Sequence, residues 1–416
     1  MSWELTDTLS FSLLIALGAM SVFYLYYYVR YMAGVQRRVR HQTKHRFRWK
    51  DRKASDSQEA SDSGVQEESV ISKPEVKPGV SVVVCARNEA DNLHHYLQAL
   101  CCQKYPEFEV IVVNDGSEDQ TQTVLEHYTQ LFRNLRLTFV PNDAWVRSSK
   151  KLALTLAAKA AKYDYLLLTD ADCRPESPYW IEEMMKGFCS EETEVVLGYG
   201  GYFEEPKTIN RLIQYDTVTS AMTYLGFAMS GHPYMGVGRN LAYRKSTFFQ
   251  NHGFAGQLGQ RAGDDDLFVN KIATKRNTEV VLTPNSYTWS IPKRTYAEWR
   301  IQKYRHLSVS PAYKTSTKLR LALEPTVRGL WYCVMIAVLV LGILGIVTNP
   351  IVWIAAAGLF VARLCCLIGL TTRAAHIFGV HGFGPGVLLY DIFLPVFNLC
   401  MLIRHSFRKK QELKLF

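Results

Sequence analysis

Paired cysteine motifs are missing from this sequence of 416 residues. Its nine cysteines include no Cys-x-x-Cys pair, which argues against a zinc ribbon and against a thioredoxin-type redox site. Free, mostly buried thiols in a reducing compartment are the simpler interpretation. No internal repeat is visible either. With 48% hydrophobic residues the chain can bury at least one large core, and its length allows two or three domains.

Charge is missing from residues 9–29, a run long enough to span a bilayer as a helix. The run has no basic region before it and no small-residue cleavage site after it, so we expect an uncleaved anchor. Glu4 and Asp7 precede it, and ten basic residues follow between Arg30 and Lys53. The positive-inside rule therefore places residue 1 outside and the following segment in the cytoplasm. Much of the net charge of +10 is thus explained beside a membrane, and we expect no nucleic-acid partner.

Residues 54–78 are polar and acidic, as in a linker, and a different pattern begins at Val80. Apolar runs suited to buried strands alternate with helical patterns. The predicted strands are 80–85, 108–115, 135–140 and 163–172, and the predicted helices are 91–103, 121–132 and 151–162. This alternation predicts a doubly wound α/β sheet.

The last third of the chain is apolar again. Residues 330–347 and 351–370 are candidate membrane spans joined by a tight turn, and residues 387–403 form a third run that contains Asp391 and Pro395. Three spans would place the basic tail outside, against the positive-inside rule. Either the last run does not span, or an extra crossing or re-entrant segment exists, for example around residues 371–383.

Acidic residues follow two of the predicted strands. Asp115 follows the second strand, and Asp170 and Asp172 end the fourth with one alanine between them. A lone aspartate at such a place more often caps the next helix. The spaced pair is harder to explain in that way, because two close carboxylates repel unless a cation lies between them. Ligands of open α/β sheets bind outside the carboxyl ends of strands, and oxygen ligands suit Mg²⁺ or Mn²⁺.

Together these segments resemble the GT-A glycosyltransferases of family 2, the inverting family that includes cellulose, chitin and hyaluronan synthases. The resemblance covers Val80 to about Arg305, and its strength comes from the order and spacing of several motifs. It implies a GT-A fold, meaning an α/β catalytic domain with a doubly wound, mostly parallel sheet. Transmembrane helices flank that domain on its N- and C-terminal sides.

The resemblance also implies a donor site. The segment after the first strand, with Ala86, Asn88 and Glu89, resembles the family's opening segment, and Asp115 would hold the uracil base. Lys150 or Lys151 would approach the diphosphate. Asp170 would contact the nucleotide, and Asp172 would ligate Mg²⁺ or Mn²⁺.

Two later motifs resemble the acceptor side of this family. The segment GVGRN, with Gly238 and Asn240, resembles its glycine-rich acceptor segment. It is not a dinucleotide fingerprint, because Leu241 stands where the last glycine belongs. The segment GDDDLF resembles the family's Glu-Asp motif, whose aspartate is the general base. Asp265 is the expected base, and Asp264 is the alternative if the register shifts by one.

The segment QKYRH stands where processive members carry Gln-x-x-Arg-Trp. Gln302 and Arg305 are retained, and His306 replaces the tryptophan that stacks on the acceptor sugar in that family. The replacement favours transfer of one or a few sugars over synthesis of a long polymer. The surrounding mixture of tryptophan, tyrosine and basic residues is typical of an interfacial helix.

The resulting domain prediction places an anchor at residues 1–31, a basic segment and linker at 32–79, and a catalytic domain at 80–294. Interfacial helices follow at 295–325, a membrane region at 326–404 and a basic tail at 405–416. The expected protein is an integral membrane enzyme, in the inner membrane of a bacterium, with its catalytic domain in the cytoplasm. It would transfer a sugar, with a UDP-sugar as the favoured donor, to a lipid or glycan.

Three other functions compete with this one. A processive polysaccharide synthase would share the donor site. A nucleotidyltransferase would be expected to carry a glycine-rich basic loop after the first strand, where this chain has Ala86, Arg87, Asn88 and Glu89. A non-enzymatic receptor or transporter subunit would have no need of the Asp170 and Asp172 pair.

Overall fold

The computed structural model describes residues 2–62, 77–140, 149–257 and 262–414, and among them twelve α-helices and ten strands. Residues 63–76 of the predicted linker lie outside the described residues. The chain divides into two compact units. One contains residues 35–203 and 231–291, which we call the sheet unit. The other contains residues 1–34, 204–230 and 292–416, which we call the helical unit.

Two sheets form the sheet unit. The strands are β1 (Val80–Ala86), β2 (Phe108–Asn114), β3 (Leu135–Phe139), β4 (Tyr165–Asp170), β5 (Cys173–Pro175), β6 (Val195–Leu197), β7 (Gly200–Tyr202), β8 (Leu241–Arg244), β9 (Thr278–Val280) and β10 (Thr288–Ser290). The larger sheet has the order β3-β2-β1-β4-β8-β6-β9, with β8 antiparallel to both its neighbours and the other pairs parallel. The prediction of a doubly wound, mostly parallel sheet is therefore confirmed. The smaller sheet has the order β5-β10-β7.

Strands β1 and β2 are almost wholly buried, because helices cover the sheet. The helices that lie wholly within this unit are α2 (Ala90–Cys101), α3 (Thr121–Leu131), α4 (Ser149–Ala160), α5 (Trp180–Met185), α7 (Lys245–Gln250) and α8 (Asp266–Ile272). Leu93, Leu97 and Leu100 recur at helical spacing on α2 and pack into the same core as Val82 and Val84 of β1. Continuous apolar strands and one-faced helices thus produce the layered core expected of this alternation.

The helical unit supplies the long apolar helices. Its helices are the first part of α1 (Ser2–Asp62), α6 (Thr208–Met229), α9 (Tyr296–Leu307), α10 (Thr315–Ile343), α11 (Pro350–Ile377) and α12 (Val387–Lys414). Four segments in the described part of the chain are long and apolar enough to cross a membrane, namely 7–39, 315–343, 350–377 and 384–407. The last apolar run is therefore a single helix of sufficient length. Residues 371–377 are the end of α11 and do not form a crossing of their own.

A network of ionised side chains lies among these apolar helices. Asp391 of α12 is fully buried and accepts hydrogen bonds from Arg328 of α10 at 2.7 Å and from Arg363 of α11 at 2.9 Å. The Tyr332 hydroxyl donates to the same carboxylate at 2.8 Å, and Glu324 pairs with Arg328 at 2.8 Å. Each charge has a counter-charge, which is how ionised groups persist in an apolar setting.

Candidate active site

The parallel strands bring the predicted donor-site residues to one edge of the larger sheet. β1 lies between β2 and β4, with Ala86 opposite Asn114 and Cys85 opposite Asp170. The carboxyl ends of the three strands therefore meet, which is where open α/β sheets bind ligands. Asp115 continues β2 at this edge and is 7% exposed.

Side-chain caps hold the loops that follow β1 and β2 together. The backbone N–H of Asp115 donates to the Ala86 carbonyl at 2.8 Å. Asn88 has a φ of 55°, a conformation that asparagine tolerates better than most residues, and its side-chain oxygen accepts from the Glu118 N–H at 2.8 Å. The N–H of Glu89 donates to the Thr121 hydroxyl at 2.9 Å. Ala86, Asn88, Glu89 and Asp115 thus lie in one hydrogen-bonded group of loops.

Asp170, Asp172 and Cys173 form a compact group of side chains, of types that can ligate a metal ion, at the end of β4. One donor atom from each of the three lies within 4.8 Å of the others. Two partly exposed carboxylates offer the hard oxygen ligands that Mg²⁺ and Mn²⁺ prefer, so these residues fit the predicted cation. The Ser290 hydroxyl donates to Asp172 Oδ2 at 2.9 Å, and the Cys173 thiol lies 3.3 Å from Asp172 Oδ1.

The first turn of α4 connects this group to the acidic loop before α8. Lys150 Nζ donates to Asp170 Oδ1 at 2.8 Å and lies 3.3 Å from Asp264 Oδ2. Burial alone would lower the pKa of Lys150, but the neighbouring carboxylates of Asp170, Asp264 and Asp265 raise it above its usual value. Lys150 is therefore a charged group between two acidic segments.

Lys151 points elsewhere, although it is the next residue. Its side chain is fully buried, and Nζ donates to the carbonyls of Gln257 at 2.9 Å and Ala262 at 3.0 Å. Burial lowers the pKa of Lys151. The two adjacent lysines thus have different partners. Lys150 contacts the acidic side chains, whereas Lys151 donates to backbone carbonyls near the acidic loop.

Asp265 lies at the start of α8 and binds two backbone N–H groups. Its Oδ1 accepts from Asp266 at 2.9 Å and its Oδ2 accepts from Gly238 at 2.7 Å. A Cβ at Gly238 would lie 3.3 Å from Oδ2, so glycine permits this close approach. Burial, followed by the charge of Asp264, raises the pKa of Asp265 to about 6, while Lys150 and the two N–H groups lower it. A carboxylate with such a pKa is ionised near neutral pH and can still accept a proton.

A small cavity lies where these segments meet. Its lining residues are Cys85, Lys150, Leu154, Leu168, Thr169, Asp170, Gly238 and Asp264. Strand ends, the lysine-bearing helix, the glycine-rich segment and the acidic loop all contribute to it. Residues far apart in sequence therefore surround one hollow of the sheet unit.

The remaining predicted residues lie at other places. Asn240 is fully buried, and its amide bonds to the Trp180 indole N–H at 3.0 Å and to the carbonyls of Tyr199 and Ser286 at 2.8 and 2.7 Å. Gln302, Arg305 and His306 lie on α9 of the helical unit, with Arg305 and His306 exposed.

Two further residues beside the strand-end acids had not been predicted from the sequence. The Arg239 guanidinium lies 4.2 Å from the centre of the Tyr202 ring and donates to the Gly201 carbonyl at 3.1 Å. Burial would lower the pKa of Arg239, but Tyr202, Cys173 and the two aspartates raise it. The position of Arg239 in the glycine-rich segment is a sequence signal by which this residue could have been predicted. Ser290 carries no such signal in the sequence.

Comparison with known proteins matches a segment within the region that resembles glycosyltransferases in sequence. Residues 81–256 match the family described as Glycosyl transferase family 2. The poly-beta-1,6-N-acetyl-D-glucosamine synthase of Staphylococcus epidermidis is 31% identical over 110 residues, which are 26% of this chain and 26% of that protein. The chondroitin synthase of Escherichia coli is 27% identical over 130 residues, which are 31% of this chain and 18% of that protein. The chain thus matches about a quarter or less of the length of these relatives.

A solved structure extends the likeness over most of the chain. A mannosyltransferase from Pyrobaculum calidifontis, in complex with GDP-Man and Mn²⁺, aligns with a TM-score of 0.51 at 17% identity. The alignment covers 91% of this chain and 99% of that one. At this identity the likeness concerns the fold, and it confirms the predicted GT-A architecture.

Proposed function

We propose that this chain, whose residues 81–256 form a glycosyl transferase family 2 domain, transfers a sugar from a nucleotide-sugar to a membrane-associated acceptor. The observation that carries the proposal is the meeting of Asp170, Lys150 and Asp264 around one hollow. A non-enzymatic membrane protein would not require these groups to converge. The reaction proceeds by a single displacement that inverts the anomeric carbon.

The donor binds along the strand-end edge. Asp115 binds the base of the nucleotide, with UDP-sugars as the favoured donors, and Lys150 binds the diphosphate. Lys150 is preferred to Lys151 because Lys150 lines the hollow and its ammonium contacts Asp170 and Asp264, whereas Lys151 binds backbone carbonyls. Asp170 contacts the nucleotide and Asp172 binds the divalent cation, with Mn²⁺ or Mg²⁺ as candidates. When bound, such a cation neutralises the charge that develops on the leaving diphosphate.

Asp265 removes the proton from the acceptor hydroxyl. Two backbone N–H groups fix its carboxylate, and its pKa of about 6 leaves it ionised at neutral pH. Each oxygen keeps a further lone pair that can accept the proton. Asp264 is the alternative base, because it lines the hollow beside Lys150.

The acceptor is a lipid or a short glycan held at the membrane. Four helices with the length and composition of membrane spans support this location, and the positive-inside rule supports a catalytic domain on the cytoplasmic side of an inner membrane. By the resemblance of QKYRH to the family's motif, Gln302 and Arg305 would bind the diphosphate and His306 would contact the acceptor. Asn240 supports the glycine-rich segment from the interior through its three hydrogen bonds.

The experiment uses the full chain purified in detergent. It is incubated with a panel of UDP- and GDP-sugars and Mn²⁺, and the released nucleoside diphosphate is measured with and without membrane lipid. Release with one donor, and its loss in Asp172→Asn, support the proposal. The chain length of the product then separates transfer of a single sugar from processive synthesis. If the protein neither binds nor turns over any nucleotide-sugar, the proposed sugar transfer is refuted.

A further inference from the structure

Both carboxylate oxygens of Asp172 accept a hydrogen bond from a side chain of the smaller sheet. Oδ2 accepts a hydrogen bond from the Ser290 hydroxyl at 2.9 Å, and Oδ1 lies 3.3 Å from the Cys173 sulfur, whose thiol donates to it. Ser290 is 118 residues away in sequence. Rotation of the carboxylate would therefore break one hydrogen bond or both.

The two donors are themselves fixed by the smaller sheet. Cys173 of β5 lies directly opposite Ser290 of β10 in an antiparallel pair, and Ser290 lies opposite Tyr202 of β7 on its other side. Cys173 is 0% exposed and Ser290 is 2% exposed. Buried side chains on paired strands have little freedom to turn. The two donors thus act from a rigid frame.

We infer that Cys173 and Ser290 are positioning residues that hold the Asp172 carboxylate in the orientation that binds the divalent cation. This inference rests on the proposed function, in which Asp172 is a ligand of that cation. Each donor occupies one lone pair of the Asp172 oxygen that it contacts. The remaining lone pairs of the Asp172 carboxylate stay available to a metal. Mutation of groups that orient a metal ligand in this way typically lowers metal affinity about 10- to 100-fold.

The smaller sheet gains a specific role from this arrangement. Its three strands have three residues each, and β5 begins immediately after Asp172. The frame therefore couples the end of β4 to a strand from a distant part of the chain. Arg174 and Trp289 are also cross-strand partners, and side chains alternate between the faces of a strand. They therefore lie on the opposite face from Cys173 and Ser290, so that face offers a control.

The test measures Mn²⁺ affinity of the full chain in detergent at saturating UDP, by the loss of the electron paramagnetic resonance signal of free Mn²⁺. Ser290→Ala and Cys173→Ala should each weaken Mn²⁺ binding about 10-fold, the lower end of the range for such residues. Cys173→Ser and Ser290→Thr retain a donor and should bind Mn²⁺ more tightly than the corresponding alanine variants, close to the wild-type affinity. Trp289→Phe, on the same strand but facing away, should leave the affinity unchanged.

The outcomes separate this inference from the proposed function. If the wild type binds Mn²⁺ and both alanine variants bind it equally well, the positioning role is wrong while the proposed function stands. If the wild type binds UDP but no Mn²⁺, the metal role of Asp172 is wrong and this inference falls with it. A general loss of structure would lower affinity in Cys173→Ser as much as in Cys173→Ala, and that result would also overturn the inference.

Discussion

Replacing Asp265 by asparagine tests the general base most sharply. Asparagine has nearly the same size and remains a good residue for the start of α8. It keeps one acceptor oxygen, so one of the two N–H donors, from Gly238 or Asp266, loses its partner. Folding should survive this change, whereas the amide cannot take a proton from the acceptor.

The size of the effect follows from the role of a base. With a pKa of about 6, Asp265 is ionised in a ratio of roughly 30 to 1 at about pH 7.5. General-base catalysis contributes about 10²- to 10⁴-fold. We therefore expect kcat to fall by that factor, which corresponds to about 3 to 5 kcal/mol of activation free energy. The affinity for the nucleoside diphosphate should stay within about 3-fold, because Asp265 does not contact it in our account.

Asp264→Asn is the matched control. Asp264 raises the pKa of Asp265, so its neutralisation should lower that pKa and move the acid limb of the kcat profile below about pH 6. Sugar transfer should persist, because the base remains. The assay measures released nucleoside diphosphate against pH for the wild type and both variants, with nucleotide binding by calorimetry. Near-normal turnover in Asp265→Asn, together with inactive Asp264→Asn, would assign the base to Asp264 and refute our assignment.

Three further substitutions probe the charged groups around this site and in the helical unit. Lys150→Met should weaken binding of the nucleoside diphosphate about 10- to 100-fold by calorimetry, the usual cost of a hydrogen bond to a charged group. It should also move the acid limb of kcat to higher pH, because Lys150 lowers the pKa of Asp265. Lys151→Met should lower the free energy of unfolding by about 1 to 3 kcal/mol, because two backbone carbonyls lose their donor. The nucleotide affinity should change little. Asp391→Asn should destabilise the detergent-solubilised protein by about 3 to 5 kcal/mol in denaturant unfolding, because two arginines lose a buried counter-charge.

Exposed residues on the same helices provide the controls for these changes. Lys159→Met removes an exposed lysine from α4, and Arg404→Gln removes an exposed arginine from α12. Both should leave affinity and stability unchanged. Nucleotide affinity that is equal in Lys150→Met and Lys159→Met would contradict the role of Lys150. Unfolding that is equal in Asp391→Asn and Arg404→Gln would contradict the importance of the buried charge network.

The central part of the fold could be predicted because its signals are local. The run that gave a predicted strand at residues 80–85 forms β1 at Val80–Ala86, and the helical pattern at 91–103 forms α2 at Ala90–Cys101. Continuous apolar strands and periodic helices follow from the need to bury one surface on another. The smaller sheet could not be predicted in this way, because strands of three residues are too short to show a period.

The last apolar run shows how contacts with other helices allow a segment with a buried charge to form one long helix. In the sequence alone, Asp391 and Pro395 argue against a membrane span, because a lone carboxylate is costly in lipid and proline interrupts helix hydrogen bonding. The carboxylate is paired with Arg328 and Arg363 from two other helices, and the segment forms one helix. Those partners are 63 and 28 residues away and have no sequence signature.

The site shows a similar division. The acids at strand ends and the lysines were visible in the sequence, because strand ends and acidic motifs are local features. The separate contacts of Lys150 and Lys151 depend on how the helix begins against the sheet, and Ser290 reaches Asp172 only through the pairing of β5 with β10. A sequence motif therefore predicts which residues take part in the chemistry. It does not predict how a residue from a distant strand, such as Ser290, orients one of them.

Calorimetric titration of UDP into the full chain, with and without Mn²⁺ and in Asp172→Asn, tests the central claim most directly. The claim is that separate carboxylate-bearing segments meet around a cation and a nucleotide donor. We expect Mn²⁺ to tighten UDP binding to the wild type, and Asp172→Asn to abolish that gain. Equal UDP affinity in all conditions, or no binding at all, would contradict the account.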